Sequence, residues 1–293
     1  MVVGIGLVAA VFFLLPRLSE LPVLAALLAG TIYLVSHMLR ALRLAILSMD
    51  MLGISGRTAA LMHFVTAPPA LMLPFKTGEL LRLHQLWRLS GTAIYAVIAL
   101  LIDRMYDSLF LVPVLMALLF LGWAPPALTL LTLLAATLPL CILVLGPKLL
   151  TEIQRYVLVN HNNPRTLGVL RRIDMLRSHV SLAADVARHR APELSLLSFL
   201  IWACEFLVCL ILVNAFTQDL QAITARAMEL LGARLVVPWW NTGAAPVVEL
   251  AMTLAALALI LPWPLMILFY MHRRKSEPRR VLATRRFETR MTL

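Results

Sequence analysis

An all-α polytopic membrane helix bundle, with about six spanning helices and two broken or re-entrant segments, is the fold this sequence predicts. Three observations predict it. Of its 293 residues 61% are hydrophobic and 14% charged, and the mean hydropathy is +0.88, which leaves too few polar side chains to cover a soluble globule. Apolar runs recur at lengths near the ~20 residues that cross a hydrocarbon core. No polar segment between them is long enough for a globular catalytic domain, so 1–293 reads as a single integral membrane domain.

The runs, in order, are Met1–Leu15, Leu21–Met38, Thr92–Leu121, Ala127–Leu145, Leu194–Phe216 and Val247–Met271. Met1–Leu15 lacks a basic leader, and the Pro16-Arg17-Leu18-Ser19-Glu20 that follows is a poor cleavage site, so this run is read as a retained first span. Ala59–Leu73 is apolar but interrupted by Pro68-Pro69, which remove two backbone donors and clash with the preceding turn. As helix it would reach only about 22 Å against a core of ~30 Å, so a re-entrant hairpin buried in protein is expected. The second break, Val237-Pro238-Trp239-Trp240-Asn241-Thr242-Gly243-Ala244-Ala245-Pro246, leads into the last run and its Glu249.

Charge sets the orientation. The net charge is +11, and the excess falls in 147–193 and in the tail 272–293, both of which the distribution of Lys and Arg assigns to the cytoplasm together with both termini. A bacterial or archaeal cytoplasmic membrane is the expected location. Leu167, Val169, Leu170, Ile173, Leu176, Val180 and Leu182 recur at helical spacing among the arginines of 147–193, so that segment is expected to be an amphipathic helical loop. Beside apolar spans, the partner for such a charge is an anionic lipid headgroup and not nucleic acid. Cys141, Cys204 and Cys209 lie in apolar runs with no paired spacing, so they are read as packing residues, and neither a metal nor a cofactor is expected.

The informative residues are ionisable ones inside apolar runs, because each costs at least ~2.5–3.5 kcal/mol in hydrocarbon and so pairs, lines a wet cavity or meets a substrate. Arg40 and Arg43 share a helix face at the expected cytoplasmic end of the second run; they are either positive-inside anchors or a phosphate clamp. Lys76-Thr77-Gly78-Glu79 follows the proline break, with Thr77 as a helix N-cap and Glu79 one turn from Arg82. That group reads as an anion site of helix amides, Lys76 and Arg82, or as a cap and an internal ion pair. Asp103 and Asp107 share one face of the Thr92–Leu121 run. Arg104 projects about a hundred degrees away and is poorly placed to neutralise both, so a second basic partner is expected among Arg40, Arg43 and Lys76. A proton or cation coupling site and a purely structural ion network both fit the pair. Glu205, alone in the fifth run, must be protonated or partnered.

These residues resemble the flippase-like family named for the transmembrane region of lysylphosphatidylglycerol synthase. The resemblance rests on His37-Met38-Leu39-Arg40-Ala41-Leu42-Arg43, on Leu73-Pro74-Phe75-Lys76-Thr77-Gly78-Glu79-Leu80-Leu81-Arg82 with Arg88 and Gly91, on Asp103-Arg104 with Asp107, and on Pro238, Gly243 and Glu249. The last block departs from the family's glycine-rich turn, which is here Thr242-Gly243-Ala244-Ala245-Pro246. The resemblance implies a membrane module with re-entrant segments that moves a phospholipid, polyprenyl-phosphate or glycolipid between leaflets, with no aminoacyltransferase domain. A transporter more than an enzyme is therefore expected, its headgroup held by Arg40, Arg43, Lys76 and Arg82 and balanced by Glu79, Asp103, Asp107 and Glu249. Two alternatives stay open: a membrane component of lipid-linked glycosyl or phosphoglycosyl transfer, and a scaffold partnering a lipid or glycan synthase.

Overall fold

The computed structural model describes residues 22–72, 77–120, 126–160, 164–214 and 246–276. Met1–Leu15, Lys76, the Val237–Ala245 part of the second break and the tail beyond Ser276 lie outside the described residues. Within them the chain is all-helical: α1 (Val23–Leu52), α2 (Gly56–Met72), α3 (Thr77–Ser90), α4 (Ala93–Phe120), α5 (Pro126–Asn160), α6 (Pro164–His189), α7 (Ala191–Asn214), α8 (Pro246–Ile260) and α9 (Trp263–Ser276). Four stretches are long and apolar enough to cross a membrane: Val23–Leu52, Thr129–Asn160, Ala191–Asn214 and Thr253–His272. The protein is an integral membrane protein built as a helical bundle. Large apolar side chains therefore cover its outside, among them Leu24, Leu27, Leu131, Leu138 and Leu196.

The helices differ from the sequence expectation in four places. The second run does not end at Met38; α1 continues to Leu52 and is closed by Gly53 at φ 63°, whose left-handed backbone lets the Ile54 N–H reach the Ser48 carbonyl at 3.2 Å. Arg40 and Arg43 thus lie inside the helix and not at its boundary. The last run, Val247–Met271, is two helices, because Pro262 and Pro264 withdraw backbone donors at the junction of α8 and α9. The run Ala127–Leu145 does not end at Leu145: α5 continues to Asn160, and the helix expected within 147–193 is α6, followed by the start of α7. Only part of the apolar set of α6 faces inward, with Val180 buried while Leu167, Val169 and Leu176 stay exposed.

The fourth difference is the proline break. Pro68 and Pro69 sit inside α2 without ending it. Pro69 cannot supply the N–H that would meet the Val65 carbonyl one turn back, and the indole N–H of Trp263 donates to that carbonyl instead, at 2.9 Å. Replacing the lost donor from a neighbouring helix is how an apolar interior tolerates proline. Trp263→Phe leaves this carbonyl without its donor; an expected loss of about 1–3 kcal/mol is measurable as a lowered midpoint of thermal unfolding in detergent micelles.

Packing is organised on α1. It runs antiparallel to α7, as the contacts Asp50 with Arg190, Arg43 with Ser198 and Ser36 with Glu205 step along both helices in opposite directions. On its other flanks α1 meets α4 and the hairpin formed by α2 and α3. Leu44, Leu47, Met62, Leu86, Ala99, Ile102 and Leu194 form one core shared by all of these helices. In α6, Val180 packs on Gly146 of α5, and Tyr106 of α4 donates to the Ala187 carbonyl at 2.9 Å.

Candidate functional site

Ionisable side chains from α1, α3, α4 and α7 meet inside this frame. Arg43 is 1% exposed and is held by three bonds: Nε donates to Asp103 Oδ1, and one terminal nitrogen donates both to Asp107 Oδ1 and to Ser198 Oγ, each at 2.7 Å. Asp103 and Asp107 lie one turn apart on α4, so a single guanidinium spans both. The second basic partner expected for the aspartates is thus Arg43.

Arg40 lies one turn before Arg43 on α1. It reaches Asp107 Oδ2 at 3.7 Å and Glu205 Oε1 at 3.4 Å, with its guanidinium 5.8 Å from the centre of the Trp202 ring, within cation–π range. Glu205 Oε1 also accepts the Ser36 hydroxyl at 3.0 Å. The lone acid of the fifth run is therefore partnered by two residues of α1.

Two sequence expectations fail here. Arg104 does reach both aspartates, at 3.8 Å from Asp103 Oδ2 and 3.4 Å from Asp107 Oδ2. Its long stem overcomes the angular offset between positions on the helix. The same guanidinium makes its shortest pair with Glu79 Oε1, at 3.0 Å. Glu79 consequently does not pair with Arg82 within α3; it ties the hairpin to α4. Arg82 instead points at α2, where its Nε donates to Thr66 Oγ1 at 3.3 Å.

Beside Thr66 stands a group that sequence reasoning missed. His63 is buried, and its Nε2 lies 3.1 Å from Nδ1 of His37. His63 and Thr66 are three residues apart and so share the face of α2 that Arg82 approaches. Their only sequence signal was helical spacing, and histidine or threonine in an apolar run is too ordinary to stand out.

The structure brings together Arg40, Arg43, Asp103, Arg104 and Asp107, joins Glu79 to them through Arg104, and sets Arg82 alongside. Thr77 begins α3 and Glu249 belongs to α8, while their side chains and all of Lys76 lie outside the described residues. No group of three or more metal-ligating side chains occurs among the described residues. Of the three cysteines only Cys209 is buried; Cys141 is exposed on α5.

No family model, curated protein or solved structure matches the chain.

Chemically, the cluster can hold charge where hydrocarbon would forbid it. An isolated ion there neutralises itself or is expelled. Here three arginines face Glu79, Asp103, Asp107 and Glu205 across ion-pair distances, which creates a polar environment inside an apolar bundle. Several donors remain without a described protein acceptor, namely Arg40 Nε, Arg104 Nε and Trp202 Nε1. Buried donors of that kind suit an acceptor-rich ligand or water.

Proposed function

We propose that the protein is a lipid translocase of the flippase-like kind, moving an anionic phospholipid, polyprenyl-phosphate or glycolipid between leaflets. The observation that carries this reading is the buried ionic cluster linking α1, α4 and α7 to a helical hairpin through Arg104 and Glu79. The barrier to lipid exchange is the Born cost of taking a charged headgroup through hydrocarbon, while the tails never leave lipid. A protein lowers that barrier by offering paired charges and free donors along the way. Arg104 and Glu79 are the most exposed members of the cluster, at 37% and 33% of their side chains, which suits a rearranging contact more than a fixed one. The resemblance of the arginine, Gly-Glu and aspartate blocks to the flippase-like family supports the same reading.

The test is a leaflet assay in reconstituted vesicles with fluorescent phospholipid and polyprenyl-phosphate probes. Wild-type protein should speed exchange of at least one probe tenfold or more over protein-free vesicles, and Glu79→Gln with Arg104→Gln should remove most of that gain. Vesicles in which the wild type accelerates neither probe refute the reading. Formation of a lipid-linked sugar from a sugar donor by the purified protein would instead favour the transferase alternative.

A further inference from the structure

Arg82 differs from Arg43, the other buried arginine among the described residues. It is 5% exposed, yet among the described residues no carboxylate lies within ion-pair distance of it, and its one hydrogen bond goes to Thr66 Oγ1. Thr66 donates its own hydroxyl hydrogen to the carbonyls of Met62 and His63, at 2.9 and 3.2 Å, so its oxygen is held as an acceptor for Nε. That bond fixes the guanidinium by its inner nitrogen and leaves the two terminal nitrogens with no acceptor among the described residues. Removing an arginine from water without an acid partner is costly, and a protein keeps such a group where a ligand supplies the anion.

A second side chain supports this. His63 is 2% exposed, and its Nδ1 is buried with no hydrogen-bond partner. When His37 donates across their contact, the hydrogen of His63 sits on Nδ1 and the ring offers a neutral donor. His63 lies one turn from Thr66, the residue that Arg82 Nε bonds, on the same face of α2. The nearby acids are engaged elsewhere, Asp103 by Arg43 and Glu79 by Arg104.

We infer that Arg82 and His63, with Thr66 holding Arg82 in place, form the phosphoryl-binding subsite of the protein, and that Arg43 serves as an internal tie without touching the ligand. This rests on the translocase reading and deepens it. The terminal edge of a guanidinium matches two oxygens of one phosphate, and the imidazole N–H of His63, one turn from Thr66 on the same face of α2, adds a donor without adding charge. A carboxylate ligand would also fit the guanidinium, but a phosphate monoester brings a third unesterified oxygen for His63.

The test is native mass spectrometry of the full-length protein released from detergent micelles. The probes are dihexanoyl phosphatidic acid and, lacking only the phosphate, dihexanoylglycerol. Wild-type protein should bind the first at least tenfold more tightly. Arg82→Gln should lose that preference with dihexanoylglycerol binding unchanged, and Arg82→Lys should keep part of it, since a point charge replaces a fork. Displacement by millimolar inorganic phosphate would show that the group is recognised free of its lipid; no displacement would assign the site to lipid-borne phosphate. Equal wild-type affinity for the two probes overturns the inference even if no variant folds, as does an unchanged preference in Arg82→Gln. Preference for the phosphate probe in a protein that moves no lipid would refute the transport reading alone, whereas transport with an unaltered preference in Arg82→Gln would refute this subsite alone.

Discussion

Arg43→Ala should cost about 3–5 kcal/mol, because it leaves two carboxylates buried without their principal counter-ion. Asp103 and Asp107 are 4% and 5% exposed and take the two charged bonds of Arg43 at 2.7 Å each. Arg104 stays in range of both, but only at 3.8 and 3.4 Å and in competition with Glu79. Arg43→Lys should recover little, since one ammonium cannot reproduce a fork that serves two carboxylates and Ser198. Arg40→Ala should cost clearly less, as its pairs are longer and its side chain is 18% exposed. Denaturation midpoints of the three variants in one detergent decide the matter. An unfolding free energy for Arg43→Ala within about 1 kcal/mol of wild type would show that the aspartates do not need it.

The second large effect is expected at Gly78→Ala. A Cβ placed on Gly78 would overlap the backbone of Ala70, and backbone cannot swing aside as a flexible side-chain tip can. The hairpin of α2 and α3 must therefore open, at about 1–3 kcal/mol for an overpacked contact. Because Glu79 is the next residue, its pair with Arg104 should loosen as well. The expected signature is a lowered unfolding midpoint with faster hydrogen exchange concentrated in α2 and α3. Exchange that rises evenly along the chain would place the damage elsewhere.

How much of this was legible in the sequence depends on the cost of each residue type in an apolar run. Arg43, Asp103 and Asp107 were conspicuous because buried charge is expensive, and their helical spacing already put the aspartates on one face. The same logic singled out Glu205 but had no means of finding Ser36, since a serine in a hydrophobic helix is inexpensive and common. Arg104 was misjudged because positions on a helical wheel locate Cβ atoms, whereas a guanidinium sits several bonds further out. Pro68-Pro69 was read as a break for a related reason. A local rule counts the donors a segment loses, and the replacement here comes from Trp263, nearly two hundred positions along the chain.

The way Arg43 is partnered bears on how the chain is made. Its two acids lie 60 and 64 positions later and its hydroxyl 155 positions later, so α1 leaves the ribosome well before anything can satisfy it. A segment carrying two arginines, whose only acid, Asp50, lies two turns beyond Arg43, meets an insertion penalty of roughly 2.5–3.5 kcal/mol for each arginine near its centre. α1 is therefore expected to wait at the translocon or the lipid interface until α4 is synthesised, and its final seating to wait again for α7. Biogenesis of this bundle is paced by its acidic helices, and a nascent chain truncated before Asp103 should leave α1 incompletely inserted.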